Sequence, residues 1–180
     1  MGLRDWVFGG SETPLERANR LRGEAMEAPD AVAVGELVEL FLGAQEHAVA
    51  RASAKGIAAV AEQRPERLAA HTGDLLEGTT VVEGPGARQR GELAEALARV
   101  AAVEPAAVAA HAEDVVAAVR QEQLFDEGGG EGHLHVEKTA ALCRAVAAAE
   151  IEAAGPVVES LRRHTDPSVS DAAREAMNAL

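Results

Sequence analysis

Six histidines, a single cysteine and two glycine-rich stretches are the residues of this chain whose types could support chemistry. His71 closes the stretch AEQRPERLAAH at 61–71, and His111 closes AAVEPAAVAAH at 101–111, 40 residues later. Equivalent histidines on successive units could form a ladder of ligands. Each, however, follows an apolar residue by three, Leu68 or Val108, at the border of a buried stripe. A neutral histidine hydrogen-bonded within a packed stack is the expectation. His133, His135 and Cys143 offer three metal-ligating side chains. The two histidines sit in a glycine-rich stretch while Cys143 falls in a core register, and no CxxC or HExxH spacing supports zinc. The thiol is expected to behave as a small hydrophobe. Residues 83–90 and 128–132 are rich in glycine but contain neither GxxxxGK[ST] nor GxGxxG, so no phosphate cradle is expected. No Gly-x-Ser-x-Gly elbow is present, and there is no tyrosine. The expectation is a chain with no catalytic residue, no metal and no cofactor.

The elements that would carry these residues follow from composition. Apolar residues make up 47% of 180, much of that alanine, and aromatics only 2%. Alanine has the best helix propensity and lets backbones approach, whereas strands favour aromatic and β-branched residues. The chain reads as all-α. A net charge of −13 disfavours nucleic acid, whose phosphates need clustered cations. Only Lys55 and Lys138 are lysines among 17 basic residues. This acidic, lysine-poor balance resembles a salt-adapted proteome, and a GC-rich genome explains it equally. The single cysteine forms no internal disulfide and fits a reducing compartment. No apolar run approaches the length of a membrane span, and no hydrophobic signal opens the chain, so a cytoplasmic protein is expected.

Shifting the sequence by 40 superposes Ile57 on Leu97, Val60 on Val100, Ala61 on Ala101, Pro65 on Pro105 and Asp74 on Asp114. Leu68 falls on Val108, and Leu75 and Leu76 fall on Val115 and Val116. The apolar spacing within each unit is helical, and proline opens a helix while disfavouring one just before it. Each unit therefore predicts a helical hairpin: 46–63 with 65–77, then 87–104 with 105–124. A third, shortened pair covers 140–161, with Cys143 and Val146 in the places of Leu97 and Val100. At an offset of 120, Val169, Ala173, Ala176, Met177 and Leu180 match Val49, Ser53, Gly56, Ile57 and Val60. Upstream, 12–28 and 30–42 read as a divergent first pair around Pro29. The stretches 77–89 and 126–135 are expected to be flexible turns rather than helices.

A period near 40 with two helices per unit is the signature of helical solenoids. TDPSVSDAAREAMNAL resembles the first helix of a HEAT repeat, with its Asp-Pro turn and ladder of small residues. The units at 46–76 and 87–119 resemble the HEAT/armadillo pattern too. The resemblance implies an α-α superhelix of antiparallel helix pairs, about 3.5 to 4 repeats, over residues 11–180. It also implies that second helices line the inner curve. Some HEAT-like solenoids are glycosylases of alkylated DNA bases or bilin lyases, but the basic, aromatic-lined face of the DNA enzymes has no counterpart here.

Asp74, Glu77, Glu113 and Asp114 fall off the apolar stripe of the second helices. They would make a negative surface suited to a basic segment of a protein partner. Residues 1–10, MGLRDWVFGG, form a separate apolar segment carrying Leu3, Trp6, Val7 and Phe8. It resembles short N-terminal membrane-targeting peptides of some cell-division and envelope-stress proteins. Two readings stand: a peripheral tether at the inner face of the membrane, or a cap on the first hairpin. The function expected from the sequence is a non-catalytic protein-interaction scaffold, with a membrane-proximal adaptor as the alternative.

Overall fold

The computed structural model describes residues 12–127 and 132–180, with side chains described for 12–121 and 136–180. Pro29, Pro65 and Pro105 set three corners of the same construction. The proline ring pushes the preceding residue out of the helical region. Ala28, Arg64 and Glu104 accordingly share one backbone shape, with φ/ψ of −144/67, −145/59 and −133/62. Each donates its amide to the carbonyl four residues back at 2.7 Å, closing the helix before the chain turns. Three residues past each proline, Val32, Leu68 and Val108 plug the corner at 1% exposure or less.

Ten α-helices are described: α1 Pro14–Glu27, α2 Val34–Leu42, α3 His47–Gln63, α4 Thr72–Thr80, α5 Arg90–Val103, α6 Pro105–Ala109, α7 Ala112–Glu127, α8 Gly132–Ala148, α9 Gly155–Leu161 and α10 Pro167–Ala179. Short 3-10 helices cover Pro65–His71, Ala87–Gln89 and Glu152–Ala154, and no strand occurs among the described residues. The fold is all-α. α1 packs on α3, α3 on α5, α5 on α8 and α8 on α10. In parallel, α2 packs on α4, α4 on α7 and α7 on α9. Alanines at the contacts, among them Ala50, Ala54, Ala94, Ala98, Ala141, Ala145 and Ala173, are buried and let the longer helices approach. Ile57, Leu97 and Cys143 are all fully buried, as are Val60, Val100 and Val146, so the repeated register is the core register. One continuous apolar cluster runs from Leu21 to Ala176.

Several boundaries differ from the sequence reading. The 65–77 helix divides into a 3-10 turn to His71 and α4 from Thr72 to Thr80. Proline's fixed φ and missing amide favour the tighter pattern in that first turn. The helix expected over 105–124 divides likewise into α6 and α7, and 87–89 is a 3-10 turn ahead of α5. The chain at 77–80 is helical rather than a flexible turn. Thr79 is fully buried with its hydroxyl donating to the Leu76 carbonyl at 2.7 Å. A Cβ at Gly78 would overlap Leu93 Cδ2 and meet Phe41 Cε1 at 3.0 Å, so this glycine serves close packing. α7 and α8 extend into the other expected turn, leaving only 128–131 outside the described residues. α2 starts at Val34 rather than near 30, and Arg67 satisfies the intervening turn by donating to the Pro29 and Val32 carbonyls.

A fourth corner, after α8, is not built on this proline pattern. Glu150 takes the left-handed conformation, φ 51, and donates its amide to Ala147, while Ile151 donates to Val146 at 3.1 Å. This is a Schellman ending with the hydrophobic contact between its flanking residues, here Ile151 and Val146, both buried. Leu3, Trp6, Val7 and Phe8 of the expected cap or tether lie outside the described residues.

Candidate functional sites on two helix faces

The second helices start alike. Gly35-Glu36-Leu37-Val38 opens α2, Gly73-Asp74-Leu75-Leu76 opens α4, and Glu113-Asp114-Val115-Val116 opens α7. Leu37, Leu75 and Val115 are buried at 1% or less, which turns the acids outward. Glu36, Asp74 and Asp114 occupy the third helical position, where a carboxylate complements the helix dipole and can answer a capping residue. That capping neighbour is a histidine in two units. His71, the N-cap of α4, places Nδ1 3.5 Å from Asp74 Oδ2, and His111 Nδ1 lies 3.6 Å from Asp114 Oδ2. Each imidazole rests on the glycine of the preceding second helix: a Cβ at Gly35 would meet His71 Cε1 at 3.2 Å, and one at Gly73 would meet His111 Cε1 at 3.1 Å. The histidines are thus part-exposed groups packed on glycine at the head of a helix rather than side chains hydrogen-bonded inside the stack.

All four acids singled out from sequence are exposed. Glu77 and Asp114 come together in a groove of about 260 Å³ between α4 and α7, shared with Gly73, Leu76, Thr80 and Ala117. Asp74 sits beside it with His71, and Glu113 stands at the head of α7. Sequence reasoning missed Glu36 and Glu39 of α2, which extend the same face. Glu36 is held by Arg17, and Glu39 is exposed. The signal was present as GELVEL at 35–40 against GDLLEG at 73–78, an offset of 38 that a fixed shift of 40 skips. The dipole accounts for the acids at the third positions. Glu39 and Glu77, a turn further on, have no such structural duty.

The opposite face, built from the first helices, carries the larger grooves. One of about 400 Å³ is lined from α3, α5, α8 and α10 by Ala58, Gly91, Glu92, Glu95, Ala140 and Ser168, among others. A second of about 480 Å³ shares Ala58, Glu92 and Glu95 and continues past Lys55, Ala96 and Arg99 to Met26 of α1. The groove that draws on four helices thus belongs to the first helices. Glu95 holds two of the rim cations, Arg144 at 2.5 Å and Arg99 at 3.5 Å. Glu92 differs. Its Oε2 is buried with no hydrogen-bond partner, and burial raises its pKa above the ordinary glutamate value of 4.5. Lys55 and Arg51 offset that shift through space, and Glu137 adds to it.

Cys143 is fully buried, and burial pushes its thiol up to about 12, so it is not available as a thiolate. Among the described residues, no three His, Cys, Asp or Glu side chains are grouped to hold a metal ion. His133 and His135 lie outside the residues whose side chains are described. Among the described residues, no helix is long and apolar enough to cross a membrane. No protein-family model matches this chain, and no curated protein or solved structure matches it.

Proposed function

We propose that the chain is a non-catalytic scaffold of the HEAT-like solenoid type, whose second-helix face receives a basic segment of a protein partner. Three superposable proline corners and the order in which helices pack on their successors support the solenoid reading. The observation that carries the function is the charge of one face. Residues 34–42, 68–80 and 105–119 contain Glu36, Glu39, Asp74, Glu77, Glu113 and Asp114 and not one lysine or arginine, and of these acids Glu36 alone is paired with arginine among the described residues, from α1. Acids of one sign aligned along successive helices attract a cationic chain over a distance of about a Debye length and fix its register on contact.

The test compares two sets of substitutions with the same charge change. A fluorescein-labelled peptide of alternating lysine and alanine is titrated into the parent and both variants at low salt. Asp74→Asn, Glu77→Gln, Glu113→Gln and Asp114→Asn together should weaken binding about tenfold, a loss set by the local contacts. Glu27→Gln, Glu83→Gln, Glu152→Gln and Glu175→Gln, all exposed elsewhere, should change it far less. Equal losses from both sets would mean that net charge alone attracts the peptide, and the proposed face would be abandoned.

A further inference from the structure

Glu92 lines the groove between α3, α5, α8 and α10 without an ion pair among the described residues, and its Oε2 is buried with no hydrogen-bond partner. We infer that this groove receives an arginine side chain presented by a segment of another protein, its guanidinium paired with Glu92. The site is distinct from the acidic face of the second helices and does not rest on it.

Two of the cations around the groove are already paired. Arg99 and Arg144 are both committed to Glu95. Lys55 and Arg51 act on Glu92 only through space, and Oε2 is left buried without a donor. Glu92 as a whole is only part-buried and makes no ion pair among the described residues, so a guanidinium that reaches its open oxygen gains more there than at a fully solvated carboxylate. Burial of the carboxylate, which raises its pKa, is the same fact seen as proton affinity.

Shape points the same way. Ala58 and Ala140 line the groove with methyl groups, and Gly91 has no side chain at all. A Cβ at Gly91 would meet Glu137 no closer than 3.4 Å, ordinary contact, so the packing of α5 on α8 does not require glycine there. A longer side chain at Gly91, which lines the groove next to Glu92, would narrow it. A guanidinium is flat, weakly hydrated and able to present two parallel N–H donors to one carboxylate, which suits a groove lined with methyl groups better than a compact ammonium does. A metal ion is a poorer fit, because only Glu92 and Glu137 offer uncommitted carboxylates and hard cations take six or more oxygens. At the far end, Met26 is 64% exposed and lines the adjoining groove, giving an apolar neighbour of the arginine a surface to cover.

The probe is the peptide acetyl-Leu-Ala-Arg-Ala-Leu-amide, with a twin in which citrulline, neutral and nearly the same shape, replaces arginine. Each is titrated into the full 15N-labelled chain while amide shifts are followed. The arginine peptide should move the amides of Ala58, Gly91, Glu92 and Ala140 in a saturable way. The citrulline twin, and the arginine peptide against Glu92→Gln, should bind about tenfold or more weakly, the loss of one charge-assisted hydrogen bond. Gly91→Leu narrows the groove while keeping Glu92 and should block the peptide too; if that variant does not fold, Glu92→Gln decides alone. Equal responses to the two peptides, undiminished binding by Glu92→Gln, shifts confined to Asp74–Glu77, or no shift at millimolar peptide would each overturn the inference.

Discussion

Gly56→Ala and Gly23→Ala are chemically the same change inside α-helices, and the structure gives them opposite signs. Alanine exceeds glycine in helix propensity by roughly 0.5–1 kcal/mol. Gly23, in α1, has nothing within 4 Å of the position a Cβ would take, so the propensity gain should appear in full. Gly56, in the middle of α3, is buried between α1 and α2. Its Cβ would lie 2.8 and 3.1 Å from the two methyls of Leu37, and 3.4 Å from the Arg22 Cα. Leu37 is fully buried, so it cannot step aside into solvent. Overpacking of this kind costs about 1–3 kcal/mol, which exceeds the propensity gain and leaves a net loss of about 1 kcal/mol. In a chain of this size 1 kcal/mol corresponds to roughly 2–4 °C in Tm. Thermal and urea melts followed by helical circular dichroism should place Gly23→Ala about 2 °C above the parent and Gly56→Ala about 3 °C below it. Leu37→Val in the Gly56→Ala background should cost less than the sum of the two single changes, with a coupling of about 0.5 kcal/mol or more. Gly56→Ala as stabilising as Gly23→Ala, or no coupling to Leu37, would refute the close approach of α3 to α2.

Leu97→Asp places a charge at a fully buried site of α5. It should cost about 4 kcal/mol or more, visible as loss of helical signal well below the parent's melting temperature; a parent-like melt would show the register to be wrong. Glu150→Gly should raise stability by about 1 kcal/mol in the same melts, because a left-handed residue with a Cβ carries a penalty that glycine does not. Glu92→Gln should stabilise the protein at neutral pH. A carboxyl whose folded pKa is raised stays protonated longer in the folded state than in the unfolded one, so stability falls as pH rises from about 4.5 through the folded pKa. The advantage of the variant should shrink toward zero as pH is lowered to that glutamate value, and a gain independent of pH would exclude desolvation as its cause.

The helix pairs were legible because their causes are local. Proline excludes helix from Ala28, Arg64 and Glu104 whatever the neighbours do, and the spacing of Ile57 and Val60 or Leu97 and Val100 follows from helical periodicity alone. The outward placement of Asp74, Glu77, Glu113 and Asp114 was legible for the same reason, since Leu75 and Val115 must point inward. The division of the second helices at His71 and His111 was not, because the apolar spacing on either side of the break still fits one helix. Glycine misled as well. In composition Gly78 and Gly132 read as turn residues, yet one makes room for Leu93 and Phe41 and the other opens α8.

By itself, then, the sequence determined an all-α chain, the positions of its proline corners, the repeated core register and a run of surface acids. Each follows from the conformational limits of single residues or from the period of a helix. Only the tertiary structure decided which surfaces those helices present together. That α3, α5, α8 and α10 converge on one groove depends on how each helix packs on the last, which no single helix specifies. The isolation of Glu92 is likewise a tertiary outcome. On paper it is one of 30 acids; in the fold its Oε2 is buried without a partner, while Arg99 and Arg144 pair with Glu95 one helical turn away.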